Sequence, residues 1–71
     1  MNPAEKLRLL QADVDVFAGA LPEARLEALP GWGSLAILLV IVHCEEKHRR
    51  VLTGAQIRGC RTVADLLSLF P

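Results

Sequence analysis

Pro30-Gly31-Trp32-Gly33-Ser34-Leu35-Ala36-Ile37-Leu38-Leu39-Val40-Ile41-Val42-His43-Cys44 is the stretch that decides how this chain folds. It opens as a turn, with Pro30, Gly31 and Gly33 around the only Trp, and then becomes the most apolar run in the sequence, Leu35 to Val42. Ser34 stands at the junction, where an N-cap belongs. A hydroxyl there accepts from the unpaired N–H groups of the first helical turn. The same position suits an anion, because free N–H groups and the positive end of the helix dipole face it. Ser34 is therefore expected as an N-cap, or as a serine that carries a phosphate ester, and the two roles are compatible.

Helix two is expected from Ser34 to about Arg50. Its first half is apolar on every side, and a chain of 71 residues cannot bury a helix all round. If Ser34 is exposed, its side of the helix includes Leu38 and Val42, with Leu35 and Leu39 beside them. The core side is then Ile37, Val40, Ile41 and Cys44, with His48 at its margin. Some of Leu35, Leu38, Leu39 and Val42 stay partly exposed, and an exposed apolar patch marks a binding surface unless another segment covers it. Lys47, His48, Arg49 and Arg50 close the helix with cations that suit its negative end.

Upstream, Asn2-Pro3 reads as a cap followed by proline at the first helical position. Leu7, Leu10, Val14, Phe17 and Leu21 recur at spacings of three and four, and Lys6, Gln11, Asp13 and Asp15 hold the opposite face. Helix one is expected over 3–19, ended by Gly19 and Pro22. Residues 20–33 form a long connection, with Ala24 to Leu29 as a short helical turn anchored by Leu26 and Leu29. A connection this long in a small domain is often functional. Downstream, Thr53 to Cys60 makes one or two helical turns before Gly59, with Val51, Leu52 and Ile57 as core contacts. Thr62-x-x-Asp65 is a capping-box variant that starts the last helix, in which Val63, Leu66, Leu67 and Phe70 follow helical spacing. The expected class is all-α: three main helices and a short one in a single domain over residues 1–71.

Composition narrows the function. Eight basic and eight acidic side chains cancel, so the chain lacks the positive field of a nucleic-acid binder. The apolar run of about 8–10 residues falls short of the ~20 that a membrane span needs. Residues 1–20 carry Glu5, Asp13 and Asp15, unlike a signal peptide. Two cysteines make no disulfide framework, and a reduced, cytoplasmic protein is expected.

Enzymatic motifs are missing. Gly31-Trp32-Gly33-Ser34 lacks the glycines two residues either side of the serine that a nucleophile elbow requires. His43 and His48 are five apart, about 140° around a helix, whereas a zincin pair is spaced by four. Cys44 and His48 could share a metal with Cys60, but two apolar cysteines and a solvated histidine are the preferred reading. Glu45 and Glu46 point to different sides and read as a solvated helix end. No catalysis is expected from the protein alone.

Two stretches carry a family resemblance. Leu29-Pro30-Gly31-Trp32-Gly33-Ser34-Leu35-Ala36 resembles the Trp-Asp-Ser-Leu-Ala variant of the motif that opens the second helix of acyl and peptidyl carrier proteins. Thr62-Val63-Ala64-Asp65-Leu66 matches the Thr-Val-x-Asp-Leu start of their last helix, and Glu45 and Glu46 match acids late in their second. From Ser34 to Phe70 the match needs no gap. The resemblance implies a four-helix bundle of acyl-carrier-protein type with 4′-phosphopantetheine on Ser34. The arm would hold an acyl or aminoacyl group as a thioester, within a pathway such as fatty acid or polyketide biosynthesis. Implied partners are a phosphopantetheinyl transferase and the enzymes that load the group and accept it, reading the face of Leu35, Leu38, Leu39 and Val42. Three features depart from the pattern: Gly33 replaces the motif aspartate, the net charge is zero, and His48-Arg49-Arg50 replaces a stretch usually holding an aromatic and acids. Docking is then more apolar than usual, which suggests a dedicated partner or a stable dimer or heteromer. The alternative is a carrier-like module without an arm that binds a partner through the same apolar face.

Overall fold

Asn2 starts the first helix as its sequence suggests: its side chain accepts from the Glu5 N–H at 2.9 Å, and Pro3 occupies the first turn. In the computed structural model, which describes residues 1–71, α1 runs Pro3–Asp13. It stops well before residue 19 because Val14 turns to an extended conformation and a single 3-10 turn, Asp15–Phe17, follows. The Gln11 amide holds that turn, donating to the carbonyls of Phe17 at 3.2 Å and Ala20 at 3.4 Å. Val14 and Phe17 are still buried, but Leu21 lies beyond Gly19 (φ +71) and is exposed instead of continuing the apolar stripe.

The long connection contains a second 3-10 turn, Leu26–Ala28, with Leu26 buried and Leu29 packed at the edge of the core. Its backbone is satisfied by the far end of the chain. Leu26 N–H donates to the Arg61 carbonyl at 2.9 Å, and Val63 N–H donates back to Ala24 at 2.9 Å. These bonds make one isolated antiparallel bridge, Arg25 to Thr62.

α2 spans Ser34–His48 and ends at Arg49, which adopts the left-handed conformation (φ 56) that glycine usually supplies. For an arginine this costs about 1–2 kcal/mol. α3 (Gly54–Arg58) and α4 (Val63–Leu67) each open on a full capping box, Thr53 with Gln56 and Thr62 with Asp65. The N–H groups of Thr62 and Arg61 hold the Asp65 carboxyl below its ordinary range.

The fold is all-α, with four helices and no strands. Its core joins Leu10, Phe17, Val40, Ile57, Leu66 and Phe70, drawn from every part of the chain. Two expectations need correction here. Val51 is exposed, and only Leu52 and Ile57 of that group are buried. Lys6 is not on a purely solvated face: its ammonium donates to the carbonyls of Phe70 at 2.9 Å and Leu67 at 3.4 Å, a cation at the open end of α4. No helix is long and apolar enough to cross a membrane.

Candidate functional site

The loop before α2 is fixed by its aromatic. Trp32 N–H donates to the Leu29 carbonyl at 3.1 Å, and its ring meets Phe17 edge-on at 6.0 Å. Gly31 has a positive φ of 85, and a Cβ there would press within 3.3 Å of Val16, so the turn needs glycine. The chain then enters α2 through Gly33, which occupies the N-cap, and no side chain caps the helix. This corrects the expected role of Ser34. It is the first helical residue, it is exposed, and its hydroxyl makes no capping bond. The first turn thus leaves its N–H groups open next to an exposed serine. Beside it lies a cavity of about 320 Å³ lined by Trp32, Ser34, Ile37, Ile57, Arg58 and Cys60, among others.

Beyond Ser34, the apolar residues sort cleanly onto two sides. Ala36, Ile37, Val40, His43 and Cys44 are buried. Leu35, Leu38, Leu39 and Val42 are 70%, 55%, 40% and 45% exposed, and no segment of the chain covers them. They fall at i, i+3, i+4 and i+7, one stripe that starts next to Ser34. Ile41, expected in the core, is half-buried at its edge. A smaller cavity of about 230 Å³ lies at the lower end of the stripe, between Leu39, Val42, Glu46, His43 and Asp13.

That end holds a group the sequence analysis missed. His43 is 2% exposed, and its Nδ1 lies 2.6 Å from Oδ2 of Asp13 on α1. The carboxylate accepts from Nδ1–H, which leaves Nε2 buried with no partner. The hydrogen bond from His43 pulls the Asp13 carboxyl below its ordinary value. His48 is half-buried, not solvated: it stacks on Phe70 at 4.8 Å and meets His43 edge-on at 5.5 Å. Its Nε2 is also buried without a partner, and burial pushes its pKa down, helped by His43, Lys6 and the N-terminal amine. The spacing of Ala36, Val40 and His43 places His43 on the core stripe, the one sequence signal that could have found it.

Both cysteines are reduced, and burial pushes each thiol up, away from the thiolate. No three metal-ligating side chains converge, and Cys44, His48 and Cys60 form no such group. Searches against protein-family models, curated proteins and solved structures return no significant match to this chain.

Proposed function

We propose that the protein is a carrier of the acyl or peptidyl type, with 4′-phosphopantetheine on Ser34 and the fold arranged as the family's four-helix bundle. The observation that carries the proposal is the pairing of an exposed, non-capping Ser34 at the mouth of α2 with the uncovered stripe Leu35, Leu38, Leu39 and Val42 directly behind it. A phosphodiester on Ser34 would meet open N–H groups and the positive dipole end. A flexible arm would raise the effective concentration of its thioester at a docked active site. The stripe is where a transferase, a loading enzyme or an acceptor enzyme would dock, through apolar contact more than through charge. On this reading the protein presents a substrate and catalyses nothing itself.

The test is the intact mass of the protein after co-expression with a broad-specificity phosphopantetheinyl transferase, followed by peptide mapping. One phosphopantetheine on the Ser34 peptide, lost in Ser34→Ala, is the expected result. An unmodified protein beside a modified standard carrier would count against the arm.

Gly33 favours a second reading. It leaves the loop without the carboxylate that helps the transferase position the serine in carrier proteins, while the apolar stripe remains. An arm-less interaction module would then bind a partner, or a second copy, through Leu38, Leu39 and Val42. Association that Leu39→Glu weakens and Ser34→Ala leaves alone would select that reading.

A further inference from the structure

We propose that Asp13, His43, His48 and Phe70 form an acid-operated latch: a proton taken up by His48 expels its ring from the Phe70 stack and frees the C-terminal turn of α2 together with residues 69–71. The latch does not depend on whether Ser34 carries an arm.

The geometry gives a proton on Nε2 of His48 no acceptor. His43 is fixed from one side by Asp13 at 2.6 Å, and its other nitrogen faces no acceptor. The His48 ring is held between Phe70 at 4.8 Å and His43 at 5.5 Å, and its Nε2 likewise has no partner. A protonated His48 would bury its Nε2–H with nothing to accept it. The surrounding charges make this worse. Lys6 on α1 and the N-terminal amine ahead of that helix oppose a further cation at His48. Asp13 is already engaged by His43, and Lys47 stands near it. Glu46 borders the cavity beside His43. Arg50, next in the chain, acts on Cys44 and donates to the Leu69 carbonyl at 3.3 Å.

An exit is built into the backbone. His48 is the last residue of α2, and Arg49 beyond it is held in the left-handed conformation. Releasing His48 would relieve that strain and let the imidazolium reach water. Phe70 would lose its stacking partner but keep its contact with His43 at 5.7 Å and its place in the core, so the loosening is local, with Lys6 and Arg50 as the polar ties on the C-terminal segment. Because Val42, Glu45 and Glu46 lie on the same last turns, the latch would loosen the far end of the exposed apolar stripe.

Proton uptake on opening fixes the size of the effect. Below the ordinary histidine value of 6.5, and above the lowered value in the closed state, each pH unit shifts the opening equilibrium about tenfold. Amide hydrogen exchange of Arg49, Arg50 and Phe70, corrected for its intrinsic pH dependence, reads this directly. Wild type should open about tenfold more per unit as the pH falls from 6.5. His48→Phe, which keeps an aromatic ring on Phe70 but cannot titrate, should flatten the dependence. An unchanged slope in His48→Phe, or a flat wild-type profile, would overturn the latch. A second measurement needs no variant: NMR titration of the wild-type imidazoles should place His48 below the ordinary value, and a titration at or above it would also overturn the proposal.

Discussion

Gly33→Asp introduces the carboxylate found at this position in the carrier motif that the stretch resembles, and the structure fixes what it should do to stability. Gly33 is extended (φ 169, ψ −164), a conformation open to any residue, and no atom lies within 4 Å of a Cβ built there. The substitution therefore meets no clash and no left-handed strain. It restricts the unfolded chain, a gain of about 0.4–1 kcal/mol. As an N-cap, aspartate surpasses glycine by a few tenths of a kcal/mol, and its charge at the dipole end contributes about 0.3–1 kcal/mol. The last two overlap, so the expected gain is about 1 kcal/mol, or roughly 4–8 °C in Tm for a domain of this size. The charge-dependent part also has a sign in pH. The helix N-terminus lowers the folded pKa of the introduced carboxyl, so that part is complete above about 3.9 and disappears as the pH falls through the folded value. Thermal unfolding of wild type and variant, near neutral pH and again well below the carboxylate range, measures both parts. A variant no more stable than wild type at neutral pH would show that the first turn of α2 is not open as described. A gain that survives acidification in full would show that the carboxylate does not cap. The same variant tests the carrier proposal independently: if the missing carboxylate limits recognition, Gly33→Asp should be loaded faster by a broad-specificity transferase.

Ser34→Ala removes a hydroxyl that caps nothing, so stability should move by less than about 0.5 kcal/mol, and if the carrier proposal holds, mass spectrometry should find no arm on the variant. Leu39→Glu gives up the buried part of a side chain that is 40% exposed, at about 1 kcal/mol, and should weaken partner binding or self-association measured by sedimentation. Phe17→Ala deletes a fully buried ring and its contact with Trp32, at about 3–5 kcal/mol. A domain this small holds only about 3–5 kcal/mol in total, so circular dichroism should find the variant largely unfolded. Asp13→Ala strands the Nδ1–H of His43 and should cost about 1–3 kcal/mol near neutral pH. Since the folded pKa of Asp13 is lowered, that difference should be complete above the ordinary value of 3.8 and shrink as the pH falls below it.

What was legible in the sequence was local or forced. Asn2-Pro3 and Thr62-x-x-Asp65 form their caps within a few residues, so no distant partner could overrule them. The exposed stripe on α2 followed from arithmetic of surface: an all-round apolar helix in a short chain must leave one side uncovered. The misses were long-range or one residue wide. α1 ends at Asp13 because Gln11 holds the following turn and Asp13 reaches a histidine thirty positions away, and no periodicity encodes either contact. Ser34 and Gly33 exchanged the cap by a single position, the finest scale at which a helix boundary is read from sequence.

α2 breaks two rules that a stable small domain normally keeps: it shows four large aliphatic side chains to solvent, and it buries a histidine with an unpaired nitrogen. Neither feature serves the core, which would be better filled by an aliphatic residue at His43 and better protected by polar residues at Leu35 and Leu38. The caps, the connection and the C-terminal helix obey local preference almost everywhere, so the departures are not a general looseness of the chain. Chains that agree with local rules elsewhere break them where something other than stability is at stake. Function should therefore be sought along α2, from Ser34 at its open end to His48 at its last turn.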